Sequence, residues 1–359
     1  MKRLRSLFRA NWMISLLLLS LVFMIGCGAP VAGSADVQVT PAGVNGLSSE
    51  EATTLDSLEL VDDYPLYTMR YHGAYDATAS DAAASDAAVA DWATTPSLSW
   101  GCSLFAVLGD MDNALYGRNF DWEYSPALLL FTDPPDGYAS ASMVDIAYLG
   151  FEPPEVQTLV DLPLVERQAL LRAPSLPFDG FNERGLTVGM AAVPAGNVTP
   201  DPNKETIGSL VVIREMLDHA ANVEEAISII QSYNVDFGDG PPLHYLVADL
   251  SGHSALIEFY RGEMVVTFNE SDWCLATNFL RASVGESAEG ACWRYDRINR
   301  RLVQAQGRLA TQDALDLLAQ VAQGNTQWSI VYGMSTGDVS VVMGREYDDA
   351  HTLHLALDP

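Results

Sequence analysis

The residues from Gly101 to Glu123 read Gly-Cys-Ser-Leu-Phe-Ala-Val-Leu-Gly-Asp-Met-Asp-Asn-Ala-Leu-Tyr-Gly-Arg-Asn-Phe-Asp-Trp-Glu. Turn-forming residues gather at the centre, at Gly109, Asp110, Asp112 and Asn113. Runs suited to strands flank them, over 103–108 and 114–120. This pattern predicts a β-hairpin with a loop of about five residues. Folded about Met111, it sets Cys102 across from Arg118–Asp121. A thiol then meets a guanidinium and a carboxylate. A nearby cation favours the thiolate, so the hairpin is a workable seat for a cysteine nucleophile.

The rest of the chain has to build around that hairpin. A strand-like run at 64–71 precedes it and pairs with the main sheet. The Pro- and aromatic-rich stretch 125–178 reads as loops and short strands that wall a pocket. Within it, the apolar run 127–131 is either a lining for an apolar acyl group or a core strand. A turn at 179–185 leads into a strand at 186–193. Helical spacing follows over 208–219 and 223–233, with Asn222 and Glu225 placed as a cap. Strand-like runs at 244–249, 255–260, 264–268 and 273–278 come next, then helices at 293–306 and 312–323. Strands at 328–332, 339–343 and 352–357 close the chain. Runs of strands and runs of helices, without strict alternation, predict α+β layers. Two sheets face to face with a helix pair on each outer side, a four-layer αββα sandwich, satisfy that order.

The N-terminus reads as a targeting signal. Lys2, Arg3, Arg5 and Arg9 precede an apolar run over 12–25, whose length fits a signal peptide better than a spanning helix. Met24-Ile25-Gly26-Cys27 resembles a bacterial lipobox, with lipid attached at Cys27; an ordinary secretion signal or an uncleaved anchor is the other reading. The expected organisation is a signal peptide at 1–26, a lipid-anchored flexible tether at 27–60 and one domain at 61–359, outside the cytoplasm and held to the membrane by its lipid. A stretch of Ala, Asp and Ser at 76–95 reads as a mobile loop just ahead of Gly101-Cys102. Beyond residue 26 the chain carries 15 basic against 47 acidic side chains. Such a surface repels nucleic acid, so no nucleic-acid partner is expected. Nothing has zinc-site spacing. His351 and His354, in a strand pattern, fall on opposite faces, so no metal and no cofactor are expected. If Cys102 is the nucleophile, Cys274 and Cys292 are the natural disulfide pair; the alternative is two small buried thiols.

The motif Gly101-Cys102 followed by Gly117-Arg-Asn-Phe-Asp-Trp122 resembles the N-terminal-nucleophile (Ntn) hydrolases of the choloylglycine hydrolase type, relatives of penicillin V acylases, bile salt hydrolases and isopenicillin N acyltransferases. The resemblance implies an αββα fold and self-cleavage between Gly101 and Cys102, dividing the domain into a pro-segment at 61–101 and a catalytic chain at 102–359. It implies that Arg118 sits beside the thiol and that Asp121 holds the new α-amine. Asp179-Gly-Phe-Asn-Glu-Arg-Gly-Leu186 resembles the family's Asn-Glu-x-Gly-Leu turn, and the strand after it reaches about Ala192, where a backbone N–H would serve the oxyanion. Ala276-Thr277-Asn278 resembles the family's Thr-Asn segment, with Asn278 as a side-chain oxyanion donor, and Arg294 matches a later active-site arginine; a turn asparagine and a helix-surface arginine are the bland alternatives. The α-amine and thiol of an N-terminal cysteine have ordinary pKa values of about 8 and 8.5, close enough for the amine to act as the base. The implied activity is hydrolysis of a linear amide in a small N-acylated substrate, by way of an acyl-enzyme. Penicillin V, bile salts, N-acyl homoserine lactones and N-acyl amino acids all lie within the resemblance. The alternatives are acyl transfer to an amine and a non-catalytic surface lipoprotein that only binds.

Overall fold

The computed structural model describes residues 46–78 and 101–357, apart from 198, 239 and 286. The signal peptide, Cys27 and most of the loop expected at 76–95 lie outside the described residues. In chain order the strands are β1 Glu59–Asp62, β2 Leu66–Arg70, β3 Gly101–Val107, β4 Leu115–Asp121, β5 Ala127–Thr132, β6 Ser140–Asp145, β7 Asp179–Asn182, β8 Thr187–Ala192, β9 Thr206–Gly208, β10 Asn234–Asp236, β11 Leu243–Ala248, β12 Ser254–Tyr260, β13 Glu263–Phe268, β14 Trp273–Ala276, β15 Thr326–Gly333, β16 Asp338–Met343 and β17 His351–His354. The α-helices are α1 Ser49–Asp56, α2 Val211–His219, α3 Val223–Ser232, α4 Trp293–Ala305 and α5 Thr311–Val321.

Fifteen of these strands form two large sheets, and β9 and β10 pair in a separate two-stranded parallel sheet. One large sheet has nine strands in the order β1-β2-β5-β6-β7-β8-β11-β12-β13; the other has six, β14-β3-β4-β15-β16-β17. Helices α2 and α3 pack on the first sheet, and α4 and α5 on the second. The arrangement is the expected αββα sandwich. The predicted hairpin is β3–β4, with a 3-10 turn at Met111–Asn113. All its strand residues are buried because both faces are covered. Cys102, Leu104, Ala106, Tyr116 and Phe120 enter the core that fills the inter-sheet layer. Phe105, Val107 and Leu115 enter the core beneath α4 and α5. That two-residue alternation fixes which face each site residue serves. The sheets approach closely at Gly189 of β8, where a Cβ would stand 2.7 Å from Tyr116 Oη and 2.8 Å from Leu104 Cδ2.

Helix boundaries follow sequence signals. Asn222 accepts the Glu225 N–H at 2.9 Å and starts α3. On α4, Arg294, Ile298 and Leu302 are buried at helical spacing, one face of an otherwise polar helix.

One expectation is corrected and one open choice is decided. The tether expected to run to residue 60 ends earlier, because α1 and β1 belong to the fold. Ser48 and Glu51 make a capping box at the start of α1, and Leu47, Leu55 and Leu58 are buried. Of the two readings of Ala127–Phe131, the structure gives the core strand, β5. Leu128 and Leu130 pack with α1 residue Leu55, and Ala127, Leu129 and Phe131 enter the inter-sheet side, so apolar residues serve both faces. β5 lies parallel to β2, the single parallel contact in the large sheet. The chain leaves β2, builds the β3–β4 hairpin in the other sheet, and returns beside β2.

Candidate active site

Antiparallel register sets Gly101 opposite Asp121, Cys102 opposite Phe120 and Leu104 opposite Arg118. Alternation then divides the neighbours of residue 102 between two faces. On the inter-sheet face, Arg118 Nη2 stands 3.8 Å from Cys102 Sγ. Arg118 is held from both sheets. Its Nη1 donates to the Asp179 carboxylate of β7 and to the Phe178 carbonyl, the latter at 2.7 Å. Tyr332 of β15 donates its hydroxyl to the same Asp179. Both charged groups are fully buried, so the pair depends on these hydrogen bonds to offset desolvation.

The other side gathers on the backbone of residue 102. The Cys102 N–H donates to Asn278 Oδ1 at 2.6 Å, and Asn278 Nδ2 donates to the Ala192 carbonyl at 2.8 Å. Arg294, at the start of α4, donates through Nη1 to the Cys102 carbonyl and, at 3.0 Å, to Ser103 Oγ. Its Nη2 donates to Asn278 Oδ1 at 2.8 Å. Asp121 Oδ2 lies 3.7 Å from Arg294. The Asp121 carboxylate accepts from Thr326 Oγ1 at 2.5 Å and Gln323 Nε2 at 2.7 Å. Hydrogen-bonding groups thus hold both ends of residue 102 while its thiol faces Arg118.

Electrostatics at the thiol differ from the sequence expectation. Burial pushes the Cys102 thiol up, and Arg118, which pulls it down, does not win. Desolvation outweighs a cation 3.8 Å away in the uncut chain, so the thiol holds its proton. Burial likewise raises Asp121 against Thr326, Gln323 and the two arginines, and raises Asp179 against Arg118.

The structure brings Gly101, Cys102, Arg118, Asp121, Ala192, Asn278 and Arg294 to one place. Arg294 is buried, whereas Arg297 and Arg301 of the same helix reach Gln320 and Asp313 at the surface. One of the two Nδ2 hydrogens of Asn278 is engaged by the Ala192 carbonyl, and that bond leaves the second unused. Sequence reasoning missed Asp179, Gln323 and Thr326. Asp179 stood inside a quoted motif, and a buried carboxylate to balance Arg118 was a signal in principle. Gln323 and Thr326 carried none: their contacts with Asp121 close across more than half the chain.

The expected disulfide is corrected: Cys274 and Cys292 are free thiols. Cys274 faces the inter-sheet layer, where burial raises it to about 11 against a hydrogen bond with Ser254. Cys292 is the N-cap residue of α4 and makes no side-chain capping hydrogen bond. Among the described residues, two mixed clusters have metal-ligand geometry, Asp62/Asp349/His351 and Glu224/Asp249/His253; neither includes a residue of the Cys102 site. His351 pairs with Asp62 and His354 with Asp338, separate partners as expected for opposite strand faces.

Residues 102–278 match the family model described as linear amide C-N hydrolases, choloylglycine hydrolase family. The match opens on Cys102 and closes on Asn278. Among solved structures, the chain resembles a cysteine-to-alanine mutant of the conjugated bile acid hydrolase from Clostridium perfringens, with a TM-score of 0.51 at 15% identity, over 71% of this chain and 92% of that one. An arginine-to-leucine variant of the same enzyme gives a TM-score of 0.51 at 16% identity, over 70% and 92%. Penicillin V acylase from Agrobacterium tumefaciens gives 0.48 at 14%, over 71% and 86%.

Proposed function

From a chain that belongs to the choloylglycine hydrolase family of linear amide C-N hydrolases, we propose an enzyme that cuts itself between Gly101 and Cys102 and then hydrolyses an N-acylated small molecule. One observation carries this reading. Three separate elements converge on residue 102: Arg118 at its thiol, Asn278 at its N–H and Arg294 at its carbonyl.

Self-cleavage needs no second protein. Cys102 Sγ attacks the Gly101 carbonyl carbon as its proton passes to the Cys102 nitrogen, the C–N bond breaks, and the nitrogen leaves as the Cys102 α-amine. Water then hydrolyses the Gly101 thioester, releasing a carboxylate at Gly101 and the thiol. The amine so formed is the base that the buried thiol lacks in the uncut chain. It takes the thiol proton, and the thiolate attacks the substrate carbonyl. The ammonium, held by Asn278 Oδ1 and Asp121, returns that proton to the leaving nitrogen. The acyl group stays on sulfur until water, deprotonated by the same amine, releases it as a carboxylic acid. Asn278 Nδ2 stands beside the developing oxyanion; losing one such donor typically costs about 10²–10³ in rate.

The neighbouring bile acid hydrolase supports conjugated bile acids as the first amides to screen, followed by other N-acylated amino acids. The N-terminal signal and Cys27 support an extracytoplasmic enzyme held to the membrane by lipid. The decisive experiment is intact and fragment mass of the purified body beside Cys102→Ala. A wild-type chain beginning at Cys102 and an uncut variant are expected. Both proteins remaining whole would overturn the reading, because the proposed base would never form.

A further inference from the structure

We propose that His244 and Glu258 form a buried dyad that reads a hydrogen-bond donor on the substrate, beside Cys102; the inference rests on the amidohydrolase reading of the site. His244 lies on β11, paired with Ala191 of β8, and its Nδ1 faces Glu258 Oε1 of β12 at 3.3 Å. In the same register Leu246 lies opposite Gly189, the point where Leu104 and Tyr116 of the facing sheet come close. Side chains alternate along a strand, so His244 enters the same inter-sheet layer one step further on. Cys102 and Arg118 stand one step on from Leu104 and Tyr116. The contact from Asn278 to the Ala192 carbonyl shows that both steps run toward the same end of the sandwich.

The dyad is costly to keep without a use. His244 is 1% exposed and Glu258 0%. Glu258 accepts the Arg281 and Ala282 N–H groups at 2.6 and 2.7 Å, which ties it to the turn that follows Asn278. With Nδ1 donating to a carboxylate, a neutral imidazole presents Nε2 as an acceptor. Nε2 has no hydrogen-bond partner among the described residues. A buried acceptor of this kind calls for a donor. Beside the nucleophile, that donor is an N–H or O–H of the substrate, either the amide N–H or a hydroxyl of the acylated amine.

The test uses matched substrates on matured wild type and His244→Phe. One pair is an N-acyl glycine and its N-methyl analogue; the other is an N-acyl serine and the corresponding N-acyl alanine. Wild type should favour the donor-bearing member of one pair by about tenfold or more in kcat/KM. His244→Phe should bring that ratio close to one. Mass and thiol labelling of the variant show separately whether maturation and Cys102 still stand, so a failure of the amidohydrolase reading is seen for itself. A ratio unchanged by His244→Phe, or no preference by wild type in either pair, overturns the dyad. If His244→Phe does not fold, ¹⁵N NMR of wild type decides: the His244 Nε2 resonance must shift with the donor-bearing compound, and no shift overturns the proposal.

Discussion

At Gly101 the backbone runs so close to its neighbours that an added Cβ would stand 2.1 Å from Gln323 Nε2 and 3.1 Å from Asp121 Oδ2. Gln323 can swing aside only by giving up its bond to Asp121. Gly101→Ala is therefore expected to slow self-cleavage by tenfold or more, as overpacking of about 1–3 kcal/mol would. Adding Gln323→Ala in the same chain should restore part of the rate, read as the cut fraction over time; no recovery would place the cause elsewhere. Asp145 offers a different kind of test. Burial pushes it up to about 7, against hydrogen bonds from Ser125 and the Ala147 N–H. A raised carboxyl lends stability that is complete below the ordinary carboxylate pKa of about 4 and is lost as pH rises through 7. Asp145→Asn keeps the acceptor and removes the titration. Its stability relative to wild type should climb by about 2–4 kcal/mol between pH 4 and pH 8, measured by urea unfolding. A flat difference would mean that Asp145 is not held protonated. At this scale the sequence revealed the residues that carry chemistry and hid those that support them. Cys102, Arg118 and Asp121 announced themselves by spacing within one hairpin. Gln323, Thr326 and His244 reach the site through tertiary contacts that leave no local pattern.

Strands and helices were more legible than their partners. The hairpin, the four later helices and the strands after residue 243 follow from turn residues, caps and apolar spacing. Helix α1 was missed although Ser48 and Glu51 spell its capping box, because the small acidic residues around it read as a solvated tether. The error matters for the element that precedes the cut. β2 lies between β1 and β5 in the large sheet, and Leu55, Leu58, Leu66, Tyr67 and Met69 are all buried. At about 1.5–3 kcal/mol each, five such side chains give roughly 10 kcal/mol of gross apolar burial. Tyr67 also donates to the Val156 carbonyl, and Arg167 to that of Leu55. After self-cleavage the two chains should therefore co-elute in native size exclusion and separate only in denaturant. A matured enzyme that loses residues 46–78 without unfolding would contradict this.

Over the whole molecule, charge is the sequence property with the widest reach. The body beyond residue 26 carries 15 basic against 47 acidic side chains, and several of the basic ones are spent at the site or in buried clamps such as Arg214 with Asp218. The remaining surface repels itself. Raising NaCl from about 0.02 to about 0.5 M should lift the melting temperature by about 2–4 °C, where a protein of balanced charge would barely respond. The parallel contact of β2 with β5 has a further consequence. Those neighbours share a covalent path only through the Gly101–Cys102 bond. Once that bond is cut, the sandwich preserves a connectivity its chains no longer possess. The uncut Cys102→Ala chain can refold by itself, whereas the denatured mature protein must first reunite two separate molecules. Maturation then acts as a ratchet: persistence of the enzyme would rest on the height of its unfolding barrier, since the way back to the fold has become second-order.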